Sequence, residues 1–405
     1  MRNYDRVHPR KPEGIEERKA YIVGGGIAGL SAAAFLVRDA QMPGKNITVY
    51  DQLPVFGGSM DAAGSAANGY VSRGERELEP YMECLWEQGF VPHDESTMGV
   101  TPETQEQMIK MMLTEEDQLE DVTIKQWFSP AFFQSQLWYY WSSMLAFQPY
   151  HSLIEMRRYA VRFMHQLHLI RSLRGILRTK YDQYGSLIRP LEKYLADHGV
   201  NFVSGATVTD MDIRIDGNDK TVTALHIGEG SDAQIVPVAE KDLVFFTNGS
   251  MTQNSTQGSM TEAPVMNRDT VHKGCFSLWE KLADKCPEYG HPEKFSFDPD
   301  KSNFVSCSVT VRDYPQFFDY LAEKTGNPTS KGGYSTFVNA PWFINYNVPL
   351  HPVAPTSRTM SSSCGSTVYT PITAVWRTRS TKSCPISPPF PWSCPISPAS
   401  SCPAS

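Results

Sequence analysis

The residues of this chain whose spacing suggests chemistry are three glycines and an acid. Gly24, Gly26 and Gly29 follow the short apolar run Tyr21 to Val23 as G-x-G-x-x-G, and an Ala-rich segment begins at once. Glycine at the first position allows a turn with no Cβ in the way, at the second it lets backbone approach a phosphate, and at the third it lets helix pack closely on strand. The free N–H groups of the new helix then face the anion. A second β-rich run, Ile47 to Tyr50, ends at Asp51, where a carboxylate can accept from a ribose hydroxyl. The pair Gly57 and Gly58 follows and again lets backbone pass close to a ligand. As a unit these residues point to a dinucleotide, and the second glycine pair favours the long flavin dinucleotide, FAD.

The elements that must hold them are a strand, a glycine turn, a helix and a second strand, the opening of a Rossmann-like sheet. Two later stretches return to it: Asn201 to Asp210, read as one strand near the adenine end, and Leu243 to Ser250, a buried strand running into a small-residue turn. The fold class is therefore α/β, with a Rossmann-like FAD-binding domain over 20–100 and 196–260. A helical substrate or lid region, 101–195, interrupts it. Residues 1–19 make an N-terminal arm, 261–355 continue the substrate domain, and 356–405 form a low-complexity tail.

Within the helical block, Thr101 and Pro102 open a helix with the apolar set Met108, Ile109, Met112 and Leu113. Ser129 and Pro130 read as the start of a second helix, 131–147, apolar nearly all round and so buried or walling an apolar cavity. Ile213 to Ile215 and Val222 to Ile227 alternate like a small hairpin. By themselves, Arg73, Glu75, Arg76, Glu77 and Glu79 read as a solvated helix end with local ion pairs. His165 and His168 read as packing or surface residues.

Composition removes several classes of function. With 37 basic and 44 acidic residues the net charge is −7, so no global basic field draws the chain to nucleic acid. No stretch reads as a membrane span or secretory signal, and the expectation is a cytoplasmic protein. The eight cysteines form no C-x-x-C pair and no zinc-like spacing, so no metal site and no disulfide framework is expected. Ser-Cys-Pro recurs at 383, 393 and 401, and the tail around it lacks the composition for a core.

The text resembles the oleate hydratase family, also called the myosin-cross-reactive antigen family, flavin-dependent enzymes that add water across a double bond of unsaturated fatty acids. The resemblance is carried by AAAFLVRDAQMPGKNITVYDQLPVFGGSMD, GYVSRGERELEPYMECLW, QPYHSLIEMRRYAVRFMH, TKYDQYGSLIRPLEKYLADHGV, DLVFFTNGSMT and APWFINYNVPLHPV, and covers roughly 10–354. It implies that Glu77 activates water at the flavin and that Tyr159 protonates the alkene. It also implies that Gln183, Asn345, Asn347 and His351 anchor the fatty-acid carboxylate. The expected cofactor-binding residues are Gly24, Gly26, Ala28, Gly29, Asp51, Gly57, Gly58, Ser59, Arg76, Val208, Thr247, Asn248, Gly249 and Ser250. Oleate or linoleate is the expected substrate, with a homodimer and peripheral membrane contact as further expectations.

The chemistry is coherent. Protonating an isolated alkene builds carbocation character, which a nearby anion stabilises while a positioned water attacks. A phenol, with an unperturbed pKa of about 10, is a weak acid for this, so help is expected from Arg157, Arg158 or the flavin field. The alternative is a flavin oxidoreductase or fatty-acid double-bond isomerase in the same pocket, or an inactive family member. Three departures from the family stand out: Glu75 in place of glycine, a short link from Trp86 to Thr101, and the tail after Thr356. The tail is expected to arise from a shifted reading frame or aberrant splice end, with a genuine proline-rich tail that binds a partner as the alternative.

Overall fold

The structure, a computed structural model, describes residues 10–65, 69–72, 98–164, 179, 181–247, 249, 255–259, 261–269, 276–296, 305–311, 316–325, 334–337, 344–347 and 370–376. In chain order the strands are β1 (Ala20–Val23), β2 (Ile47–Asp51), β3 (Ala62–Ser65), β4 (Gly69–Ser72), β5 (Asn201–Ser204), β6 (Val208–Asp216) and β7 (Asp219–Ile227). They continue with β8 (Gln234–Pro237), β9 (Leu243–Phe246), β10 (Val305–Val311), β11 (Tyr334–Phe337), β12 (Ile344–Asn347) and β13 (Thr370–Trp376).

A parallel sheet in the order β5-β2-β1-β9 is the centre of one half of the described structure, which makes the fold class α/β and Rossmann-like. Its strands are short and apolar because both faces are covered. Side chains alternate across a strand, so Ala20 and Ile22 enter one core with Ile47, Val49 and the helices Ile27–Arg38 and Arg189–Asp197. Tyr21 and Val23 enter another, with Tyr50, the antiparallel sheet β6-β7-β8 and the helix Ser277–Lys285. The result is three layers: helices, parallel sheet, antiparallel sheet.

Between β4 and β5 a third core gathers Met108, Met111, Leu119, Ile124, Phe132, Trp141, Leu153 and Met156 from a set of short helices. The first, Pro102–Leu113, starts where Thr101 caps it: its hydroxyl accepts from Thr104 N at 3.2 Å. Its buried stripe differs from the expected one. Thr104, Met108 and Met111 face inward, while Ile109 and Leu113 are exposed.

The expected single helix over 131–147 is divided. A 3-10 turn, Phe132–Gln134, precedes a helix at Gln136–Met144, and Ser135 makes the joint by donating to Phe132 O at 2.6 Å and accepting from Trp138 N at 3.1 Å. The expected strand 201–210 is divided as well. Gly205, at φ +69°, turns the chain out of the parallel sheet, and Val208 begins the antiparallel one. The expected hairpin gains a third strand, β8.

A further four-stranded sheet, in the order β10-β13-β12-β11, is antiparallel throughout. One of its strands comes from the tail expected to lack structure. The segment Thr370–Trp376, TPITAVW, pairs with Val305–Val311 and Ile344–Asn347, and it is the part of the tail with β-branched and aromatic residues in sequence. Among the described residues no helix is long and apolar enough to cross a membrane, and no group of metal-binding side chains is found.

Candidate functional site

The glycine turn stands at the carboxyl end of β1, between β2 and β9, where open α/β sheets bind their ligands. Gly24, at φ +103°, donates its N–H to Tyr50 O at 2.9 Å. Gly25 N–H donates to Asp51 Oδ2 at 2.7 Å, and Leu53 N–H to Asp51 Oδ1 at 2.8 Å. Gly57 N–H donates to Gly25 O at 2.9 Å, which docks the second glycine pair onto the first. A Cβ on Gly29 would lie 2.0 Å from Gly24 O, so helix and turn touch through hydrogen alone. On the far side Thr247 donates its hydroxyl to the carbonyls of Val23 and Gly24, 3.0 Å from each.

The helix Ile27–Arg38 begins at Gly26 with no side-chain cap and no acidic residue in its first turn, and Ala28 is exposed there. Its first N–H groups are therefore available to an anion, with the partial positive charge of the helix end behind them. This cradle fits a dinucleotide pyrophosphate. Asp51 is buried and accepts from two amides, which holds its carboxylate at the end of β2 beside the glycine turn. Gly58 and Ser59 are half-buried, Gly58 close against Gly26. Val208 packs its side chain into the antiparallel-sheet core, and Gly249, at φ +102°, is exposed past β9.

Sequence reasoning missed Phe56. Its ring fills the space beside Gly25, where a Cβ would come within 2.3 Å of it, and stacks edge-on with Phe202. An aromatic just before a glycine pair was the available signal.

The expected substrate residues gather on two supports. Gln183 is buried and leads into a π-helical turn, Tyr184–Ile188, whose last residue packs 3.2 Å from where a Cβ on Gly57 would lie. Segments of this kind recur at functional sites. Asn345 and Asn347 belong to β12, a strand in contact with the helix Gln136–Met144. The hairpin β3-β4 links the halves, since β4 contacts β10 and β13. Arg76, Glu77, Asn248, Ser250 and His351 lie outside the described residues.

Tyr159 is on the helix Leu153–Arg162, 37% exposed, with its ring edge-on to Phe147 at 5.5 Å and 88°. The neighbouring arginines do not serve the phenol as expected. Arg157 and Arg158 both bond Glu116, because a carboxylate satisfies guanidinium donors that a single phenol cannot.

The sequence pattern of the MCRA family matches residues 17–89 and 87–362. The chain belongs to the MCRA family. Among curated MCRA-like relatives, the oleate hydratase of Streptococcus pyogenes serotype M49 (strain NZ131) is 33% identical over 387 residues, covering 85% of this chain and 65% of that protein. The linoleate hydratase of Lactiplantibacillus plantarum is 28% identical over 356 residues, covering 73% of this chain and 62% of that protein. The chain thus spans somewhat under two thirds of the length of these relatives. Among solved structures, an oxidoreductase from Methanosarcina mazei aligns with a TM-score of 0.44 at 12% identity, covering 89% of this MCRA chain and 79% of that one.

Proposed function

We propose that this chain holds FAD in the glycine cradle and hydrates the double bond of an unsaturated fatty acid, oleate to 10-hydroxystearate being the reference case. The observation that carries the reading is the packing of Ile188 against Gly57: the segment that begins at Gln183 lies directly on the nucleotide cradle. The hydratase names of the two curated relatives support the reaction class. In this reading residues 20–100 and 196–260 form the FAD domain, 101–195 the helical substrate part and 261–355 its continuation.

Gly24, Gly26 and Gly29 hold the pyrophosphate and Asp51 a ribose hydroxyl; Thr247 and Gly57 keep the turn closed. Bound flavin supplies a charged, planar wall rather than redox chemistry, because hydration neither gains nor loses electrons. Tyr159 delivers the proton to one alkene carbon, Glu77 takes a proton from the attacking water, and Gln183, Asn345, Asn347 and His351 hold the carboxylate. The aromatic core of Phe132, Phe133 and Trp138 excludes water around the acyl chain.

The test is to purify the chain, record its flavin spectrum, and incubate it with oleate in water enriched in heavy oxygen. Hydration yields a labelled 10-hydroxy acid, whereas oxidation or isomerisation yields unlabelled product. Glu77→Ala and Tyr159→Phe should each lower the rate by about 10²- to 10⁴-fold. Variants equal to the parent would remove both residues from the mechanism.

A further inference from the structure

Glu116 lies outside every motif that carries the family likeness, yet the helix bearing Tyr159 grips it. Its Oε1 accepts from Arg157 Nη1 at 3.2 Å and Arg158 Nε at 3.0 Å, and its Oε2 accepts from Arg158 Nη2 at 2.6 Å. Successive residues of a helix point about 100° apart, so one carboxylate that holds both guanidinium groups narrows the range of rotation of the helix about its axis. The same rotation sets where Tyr159 points.

Glu116 is itself well anchored. Leu119, in the same 3-10 turn, is fully buried beside Ile124, Leu153 and Met156. Leu153 N–H donates to Val122 O at 2.9 Å, and Ile124 N–H to His151 O at 3.0 Å. The Tyr159 helix has no side-chain cap at Ser152, so these backbone bonds and the carboxylate clasp fix its first turns. Phe147 bounds the tyrosine ring from another element. Arg157 is mostly buried, and its Nε has no hydrogen-bond partner among the described residues, so Glu116 is the group that answers its charge. The hydrogen bond from Arg158 lowers the Glu116 carboxyl below its ordinary value.

We infer that Glu116 is a positioning residue: through Arg157 and Arg158 it orients the phenol of Tyr159. The purpose of that orientation rests on the hydratase reading, while the orientation itself rests on the geometry alone.

The experiment uses the whole chain labelled with 3-fluorotyrosine, with the Tyr159 fluorine resonance assigned by its loss in Tyr159→Phe. Glu116→Gln, which keeps the shape and removes the charge, should shift or broaden that resonance. It should also lower kcat for hydration by about 10- to 100-fold while leaving KM for oleate within twofold, as expected for a misplaced acid. Glu116→Asp should recover part of both effects, and Arg158→Lys, which keeps the charge and loses the fork, should reproduce the displacement by a second route. Lys193→Gln, which breaks the exposed pair with Asp197, should change neither. An unmoved Tyr159 resonance in both Glu116→Gln and Arg158→Lys overturns the inference whatever the activity. A moved resonance in a protein that hydrates nothing upholds the positioning and overturns the hydratase reading instead.

Discussion

Asp51, proposed above to meet a ribose hydroxyl, also holds the fold. Its two oxygens tie the glycine turn, at Gly25, to the end of the second strand, at Leu53. Removing them strands a buried N–H at Gly25, which costs about 1–3 kcal/mol when no new acceptor appears. Asp51→Ala should lower the urea midpoint accordingly even in flavin-free protein; an unchanged midpoint would show that the carboxylate serves the ligand alone. The position of Asp51 was readable in the sequence because the motif is local: strand, turn, helix and strand follow one another within residues 20–51. Glu116 was not, because its arginines stand 41 and 42 residues away and no spacing rule connects them. Such pairings exist only once the chain has folded back on itself.

Among the elements, those with strong end signals were readable and those without were not. Thr101 and Pro102 mark the start of the helix Pro102–Leu113 as expected, since a hydroxyl and a fixed φ both favour a first turn. The run 131–147 is apolar on every side, so periodicity could not reveal that it breaks at Ser135. That serine is buried and satisfies both the turn before it and the helix after it. Ser135→Ala should cost about 1–2 kcal/mol in an equilibrium unfolding experiment. A loss below about 0.3 kcal/mol would mean that packing of Phe132 and Trp138 alone defines the break. The methionine stripe was misjudged for a related reason: Ile109 and Met111 compete for the inward face, and only tertiary packing chose Met111.

At the scale of the molecule, the layers of the parallel-sheet half meet through side chains as well as through their apolar faces. Lys285, at the end of the helix Ser277–Lys285, donates to Asp210 Oδ1 and to Met211 O, each at 2.6 Å, and so joins that helix to β6. Burial pushes the Asp210 carboxyl up, but the Lys285 ammonium, the Met211 N–H and the charge of Lys281 together bring it below its ordinary 3.8. A depressed folded-state value contributes stability above pH 3.8 that is lost as pH falls through the folded value. Lys285→Met should therefore be less stable than the parent at pH 6, and the gap in urea midpoint should narrow by pH 3. It should not close, because the bond to Met211 O does not titrate. A gap equal at both pH values would show that the ammonium leaves the carboxyl untouched.

The parallel sheet joins β1 to β9, strands far apart in sequence, and Thr247 closes over Gly24 from 223 residues away. A ribosome making about 5–20 residues per second emits these two parts roughly 11–45 s apart. Until the later one emerges, the earlier strand, turn and helix have an open flank and a carbonyl pair with no hydroxyl to meet. Closure of the glycine turn is thus timed by translation: its open flank is sealed only when β9 arrives, after the helical segments between β4 and β5 have been made.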